Sequence, residues 1–404
     1  MEAFLVGGAV RDQLLGLEPK DKDWVVVGAT SEQMVAHGFK QVGSDFPVFL
    51  HPETGDEFAL ARTERKSGSG HTAFEVDAST DVTLEDDLLR RDLTINAMAM
   101  SGGELVDPFD GFSDLKDGVL RHVSAAFSED PLRVLRVARF AARFPDFEVD
   151  LGTLALMREL VEAGEMEHLT AERVWMETSK ALIEDVPSRF FKVLHEVGAL
   201  ERVFPELAAL DGVPQPAKHH PEVDTFVHVM LALDFAAKMG RDLDVRFAVL
   251  LHDLGKGATP TDILPQHIGH EKGGVPLVKA VCERLRVSKD RRKLALDVCE
   301  LHLHAHRLPE MRPGKVVKLL IALDGFRRPD MVERFVQACE ADAKGRTGLE
   351  DRVWPQGDML LDALVAAKAV STAPLLERGF EGKRLGAQLL QERIKAVKRV
   401  MTIA

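Results

Sequence analysis

Leu5-Val6-Gly7-Gly8-Ala9-Val10-Arg11-Asp12, followed after a helix-sized gap by Asp21-Lys22-Asp23-Trp24-Val25-Val26-Val27, decides how the first part of this chain folds. A short apolar run ends in Gly7-Gly8, where amides with no Cβ over them can face a phosphate at the start of a helix expected from Ala9 to Gly16. In an extended segment alternate residues share a face. Asp21 and Asp23 therefore project together at the start of a strand from Trp24 to Val27, with Lys22 turned away. Two carboxylates side by side repel, and a divalent cation relieves the repulsion. A donor set of oxygens alone suits magnesium, which keeps waters and substrate phosphates as its remaining ligands. Gly-Gly alone is commonly a turn and Asp-x-Asp alone a strand end or cap. The reading rests on their order: strand, Gly-Gly, helix, Asp-x-Asp on a second strand.

That order resembles the head of the nucleotidyltransferase superfamily, to which DNA polymerase beta and the tRNA nucleotidyltransferases belong. The 404 residues allow two to three domains, and 45% hydrophobic with 29% charged residues is ordinary globular composition. The sequence has no apolar run long enough to span a bilayer and no basic, apolar, small-residue leader, so a cytoplasmic protein without a membrane partner is expected. Cys282, Cys299 and Cys339 are widely spaced, without a Cys-x-x-Cys, and are expected to be free buried thiols. A net charge of −13 argues against indiscriminate coating of nucleic acid. Arginines nevertheless cluster at 62–66, 90–91 and 133–143, and local field matters more to a phosphate than the sum.

Residues 1–123 alternate short β-rich runs (24–27, 46–51, 57–61, 105–107, 119–122) with few helices and read as one mixed α/β domain. Ser67-Gly68-Ser69-Gly70 is expected to be its mobile loop. The amphipathic segment from Leu84 to Ala97 carries Arg90 and Arg91, either on a solvated helix face or as a fork for a triphosphate. From Ser124 onward helical periodicity takes over. Asp130 is an N-cap candidate before Pro131, and Arg133, Arg136 and Arg139 then form a slanted stripe beside an apolar face.

These segments together resemble the class II CCA-adding enzymes: Val6 to Asp12, Asp21-x-Asp23, Arg90-Arg91-Asp92-Leu93-Thr94-Ile95-Asn96-Ala97, and Glu129-Asp130-x-x-Arg133-x-x-Arg136-x-x-Arg139-Phe140. The resemblance covers about the first 145 residues. It implies an α+β protein, a small mixed α/β nucleotidyltransferase head followed by an all-helical neck, body, HD domain and tail. It also implies addition of C, C and A to the 3′ end of tRNA from CTP and ATP without a nucleic-acid template. Carried over position by position, Asp21 and Asp23 resemble the catalytic magnesium ligands, and Gly8, Arg11, Arg91, Arg136 and Arg139 the ATP and CTP contacts. Asp130 and Arg133 resemble the pair that reads the base. Chemistry agrees with that last role: cytosine and adenine each place an amine donor beside a ring-nitrogen acceptor, which an accepting Asp and a donating Arg match, whereas uracil and guanine do not. The third carboxylate of many polymerases in this superfamily has Ala59 in its place, and Glu57 is the nearest in-phase substitute.

A second constellation follows Val213-Pro214-Gln215-Pro216-Ala217, which reads as a domain boundary. Here His228, His252-Asp253, His267, His270, His302, His304 and His306 gather within one span, as suits borderline transition metals. Val249-Leu250-Leu251-His252-Asp253-Leu254-Gly255-Lys256-Gly257 resembles the HD phosphohydrolases. A class II head joined to such a segment is similar to the bacterial CCA-adding enzymes with phosphatase, 2′-nucleotidase and 2′,3′-cyclic phosphodiesterase activity, in which nickel is favoured. His228, His252, Asp253 and His270 are the ligands this suggests; Leu303 stands where the closing Asp is expected, which predicts an impaired site unless His302 or His304 substitutes. The expected divisions are a head at 1–123, neck and body at 124–222, an HD domain at 224–340 and a helical tail at 341–404, in a monomer or homodimer. A bacterial poly(A) polymerase shares the head, usually without the HD segment. A non-catalytic RNA-binding protein on the same head is disfavoured by the presence of Asp21, Asp23, Asp130 and Arg133.

Overall fold

The computed structural model describes residues 1–19, 21–42, 48–66, 74–218 and 220–402; the Ser67 to Gly70 loop lies outside them. Two compact units result, one of Met1–Glu177 with Arg189–Val203, the other of Thr178–Ser188 with Phe204–Ala404. The first carries a seven-stranded sheet. Its strands are β1 (Glu2–Val6), β2 (Asp23–Val27), β3 (Lys40–Val42), β4 (Val48–Leu50) and β5 (Glu57–Leu60), with β6 (Thr63–Lys66) and β7 (Phe74–Asp77) forming a separate hairpin, then β8 (Ala99–Ser101) and β9 (Glu104–Val106). The order across the sheet is β3-β4-β5-β2-β1-β8-β9. A mixed α/β head with a helical remainder is thus the observed fold class; β1, β3, β6, β7 and β8 are strands that the β-rich runs did not include.

The β1–β2 pairing is antiparallel and sets Val6 opposite Asp23. The Gly7-Gly8 turn that leaves β1 is thereby placed beside the Asp-x-Asp that enters β2. Period-two alternation then sends the side chains of β2 to opposite faces. Val25 joins a core with Val6, Leu88, Ala97 and Ala99, while Val26 joins Met34, Phe49, Phe58 and Leu60 on the other side. Asp23 shares the face of Val25, where the Leu84–Leu89 helix ends in Arg90 and Arg91.

In the second unit the helices Thr225–Lys238, Leu243–Leu251, His270–Arg284, Lys289–His306 and Pro329–Lys344 pack around one another. The division between the units falls at Val203 and Phe204, and the Val213 to Ala217 segment lies within the second. Nearer the end, the basic Gly382–Met401 helix stacks Arg393 over Phe326, 3.7 Å from the ring centre, so this arginine is not part of a solvated stripe. The chain after His252-Asp253 must pass against the start of the His270–Arg284 helix. A Cβ at Gly255 would lie 2.0 Å from the His270 carbonyl oxygen and 2.6 Å from the Gly274 nitrogen, both backbone atoms that cannot swing aside. Gly255→Ala is therefore expected to lower the unfolding free energy by about 2–3 kcal/mol or more, read from urea unfolding of the full chain. A change under about 0.5 kcal/mol would contradict this packing.

Candidate functional sites

The first site is a cavity of about 660 Å³ in the first unit. Its walls include Gly7, Gly8, Asp21, Asp23 and nine arginines against five aspartates, a local positive excess on an acidic chain. Gly7 caps the Gly8–Leu14 helix at φ 69°, and a Cβ there would sit 2.7 Å from Arg91 Nη1. Both the backbone conformation and the close approach require glycine. Asp23 loses solvent in the cleft, which raises its pKa; Arg91 opposes this and the neighbouring Asp21 adds to it. A pair of carboxylates destabilised in this way, with oxygen donors only, fits a magnesium ion. Glu57 is opposite Asp23 in the parallel β2–β5 register and Ala59 is opposite Val25, but among the described residues Glu57 does not line the cavity.

The arginines are held by carboxylates from distant parts of the sequence. Asp87, fully buried, takes Arg90 on Oδ1 at 2.9 Å and Arg91 on Oδ2 at 3.1 Å, so neither guanidinium belongs to a merely solvated helix face. Burial pushes the Asp87 pKa up, yet Arg91 and Arg90 outweigh it and hold the group ionised. Arg136 donates to Asp92 at 2.7 Å, and Arg139 to the wholly buried Glu177. Arg11 lies between the Phe140 and Phe144 rings and donates to Asp12 and Asn96. Buried charges left unpaired would be costly, so these pairs fix each guanidinium in place.

Asp130 accepts from the Leu132 amide at 3.1 Å, which starts the Leu132–Arg143 helix one residue later than the sequence suggested. Its other oxygen receives Arg173 at 2.6 Å, a cavity residue that the sequence reading did not single out. Arg133 donates to the carbonyls of Ala126 and Arg90.

The second site, in the second unit, opens into a cavity of about 850 Å³. It brings together all four ligands expected from sequence and two more. His228 Nε2 lies 3.1 Å from Asp342 Oδ1 and 3.7 Å from Asp253 Oδ2; His252 Nε2 lies 3.1 Å from Asp253 Oδ2 and 3.7 Å from Asp342 Oδ1. The closing carboxylate is thus present. It is Asp342, on the Pro329–Lys344 helix, and neither Leu303 nor His304 takes part; the expectation of a site impaired at Leu303 is corrected. The sequence reading looked beside His302, but the carboxylate comes from another helix, signalled only by one Asp amid Ala338, Cys339, Ala341 and Ala343, all buried. Arg346 and His306 hold Asp342 at 2.7 and 2.6 Å. Glu222 Oε1 stands 3.0 Å from His228 Nδ1, the arrangement by which a carboxylate orients a metal-binding imidazole.

On its other side Asp253 Oδ1 faces His270 Nε2 at 3.3 Å and His302 Nε2 at 3.7 Å. Burial lowers the His252 pKa, but Asp253 and Asp342 more than offset it and raise it to about 10; burial dominates at His302 and takes it down to about 3. His252 Nε2 and Asp253 Oδ1 are buried without a hydrogen-bond partner among the described residues. Imidazole nitrogens and carboxylates converging with unsatisfied atoms fit a transition metal. The three cysteines are buried and free, as expected.

The chain matches the family models for the poly(A) polymerase head domain at 3–121, the probable RNA and SrmB-binding site of polymerase A at 146–210, and the HD domain at 225–343. It is 55% identical to the multifunctional CCA protein of Nitrosococcus oceani over 99% of both chains, and 57% identical to that of Pseudomonas fluorescens over 98% of both. Its fold is that of a CCA-adding enzyme solved with ATP, with a TM-score of 0.66 at 22% identity, covering 99% of this chain and 88% of that one. It is also that of the Thermotoga maritima CCA-adding enzyme solved with tRNA, with a TM-score of 0.61 at 21% identity and coverages of 99% and 91%. No helix among the described residues is long and apolar enough to cross a membrane.

Asp342→Ala is expected to weaken nickel binding at least about tenfold in calorimetric titration of the full chain, while Leu303→Asp leaves it unchanged. Unaltered affinity in the folded Asp342 variant would remove Asp342 from the ligand set.

Proposed function

Because the chain belongs to the multifunctional CCA protein family, we propose that it adds C, C and A to the 3′ end of tRNA from CTP and ATP without a nucleic-acid template. The observation that carries this reading is the arginine-rich cavity whose floor is the Gly7-Gly8 turn beside Asp21 and Asp23. In this reading the Gly8 amide at the helix start and Arg91, Arg136 and Arg139 receive the triphosphate, and Arg11 braces that wall through Asp12 and Asn96. Asp21 and Asp23 hold magnesium, which supplies neutralisation of charge on the transferring phosphoryl group. The terminal ribose hydroxyl of tRNA attacks the α-phosphorus, the bond to the β-phosphate bridging oxygen breaks, and pyrophosphate leaves. Asp130 accepts from the exocyclic amine of cytosine or adenine while Arg133 donates to the ring nitrogen. The pairing of Asp130 with Arg173 supports an ionised, oriented acceptor. Residues 124–222 serve as neck and body, holding tRNA and base, and 341–404 as tail, apart from Asp342, which works with the HD segment at 224–340.

We assign the second site to a phosphohydrolase that acts on phosphate monoesters, 2′-nucleotides and 2′,3′-cyclic phosphates. His228, His252, Asp253 and Asp342, with His270 close by, hold a transition metal, nickel by the family's preference. Such an ion supplies a polarised phosphoryl group and an acidified water. Lys256, 2.6 Å from Asp253, and Arg346 offer cations for the phosphate. A cytoplasmic enzyme, monomer or homodimer, accords with this reading.

The test is incubation of the protein with tRNA lacking its 3′ end, magnesium and each labelled nucleotide. Incorporation of C then A, stopping at the completed terminus, is expected. A run of A alone would mark a poly(A) polymerase, and no incorporation a binding protein. Asp21→Ala and Asp23→Ala are each expected to abolish addition with melting temperature unchanged, since neither removes core volume; near-normal addition in a folded variant contradicts the assignment. Asp130→Ala should relax discrimination against UTP and GTP more than it weakens triphosphate affinity, measured as the ratio of kcat/KM values. Undiminished rejection of both nucleotides would show that Asp130 does not read the base.

A further inference from the structure

We propose that the second site holds two transition-metal ions bridged by Asp253: one among His228, His252 and Asp342, the other among Asp253 Oδ1, His270 Nε2 and His302 Nε2. These are two separate sets of converging ligand atoms, and the second is complete without any atom of the first.

Proton bookkeeping carries the argument. A backbone carbonyl can only accept. His270 Nδ1 lies 2.7 Å from the His267 carbonyl, and His302 Nδ1 lies 3.0 and 3.1 Å from those of Val298 and Cys299, so in both neutral rings Nδ1 carries the proton. Both Nε2 atoms then present lone pairs. They face each other at 3.4 Å, and both face Asp253 Oδ1. Two imidazole lone pairs and a carboxylate oxygen have no proton to share, and Asp253 Oδ1 is buried without a hydrogen-bond partner among the described residues. Three acceptors converging in a buried place are stable only around a cation.

Lys256 does not supply that cation. Its ammonium lies 2.6 Å from Asp253 Oδ2, the other oxygen, and donates to Gln215 as well. The two oxygens of Asp253 therefore divide: Oδ2 turns to Lys256, His228 and His252, and Oδ1 to His270 and His302. A carboxylate used on both oxygens in this way bridges cations about 3.5–4 Å apart, the spacing with which two-metal sites clamp a phosphoryl group. The imidazole and carboxylate donors select nickel, cobalt, manganese or zinc over magnesium. The His220, Glu222 and His228 group is not a third position, because His228 turns only Nδ1 to it, 3.0 Å from Glu222, in the orienting arrangement described above. The substrate class, a phosphate monoester or cyclic phosphodiester, rests on the phosphohydrolase reading; the presence of two ions does not.

The test counts metal without asking for turnover. The full chain, His302→Ala and His302→Gln are loaded with excess nickel, freed of unbound metal by gel filtration, and assayed by mass spectrometry for nickel per chain. The difference between wild type and variant cancels any ion held in the first unit. The wild type is expected to hold one more ion per chain than either variant, with the remaining ion lost in His228→Ala. Equal nickel in the wild type and a His302 variant of normal melting temperature would overturn the proposal. If both variants unfold, nickel-edge anomalous diffraction from wild-type crystals decides: two peaks flanking Asp253 are expected, and one peak overturns the second position. Hydrolysis of a 2′,3′-cyclic phosphate is measured separately, so that two bound ions without turnover would contradict the phosphohydrolase reading and leave the metal pair standing.

Discussion

The antiparallel register that sets Val6 opposite Asp23 is the constraint on which the head depends. Shifted by one residue, it would turn Asp23 to the face of Val26 and bury a carboxylate against Met34 and Phe49. In the observed register the glycine turn, the two aspartates and Arg91 meet at one end of the sheet. Both faces of β2 are committed to cores, so no other register satisfies the apolar side chains.

Around that fixed end, the arginines are positioned by carboxylates that the cavity itself does not present to a ligand. Asp87 and Glu177 are fully buried and Asp92 nearly so, and each anchors a guanidinium by one edge. Long cationic side chains lose rotamer freedom when they grip a phosphate, and that loss has been met here in folding. The second site follows the same logic with different donors: Glu222, Arg346 and His306 hold the groups that converge on the centre. Oxygen donors in one unit and imidazoles in the other separate the two chemistries by metal preference alone.

Much of this was legible in the sequence because it is local. Gly7-Gly8, Asp21-x-Asp23 and the arginines at 133, 136 and 139 announce themselves through spacing, and the structure brings all of them to one cavity. His252-Asp253 and His228 were legible for the same reason. What escaped was non-local. Asp342 is separated from Asp253 by two helices, and its residue type says nothing until packing places it 3.1 Å from His228. Arg173 looked like one more helical arginine until the fold set it on Asp130. The short strands β3, β6 and β8 carry too few residues for a period to be read, and hydrogen bonding to neighbours decides them.

The central claim is that the arginine-lined cavity, read by Asp130 at one end and Asp21 with Asp23 at the other, binds the incoming nucleotide. A crystal structure of the full chain with CTP and magnesium tests it most directly. The account predicts the triphosphate between the Gly7-Gly8 turn and Arg91, a cation touching both Asp21 and Asp23, and the cytosine amine within hydrogen-bonding distance of Asp130. Ordered CTP outside this cavity, or with its amine turned away from Asp130, would contradict it.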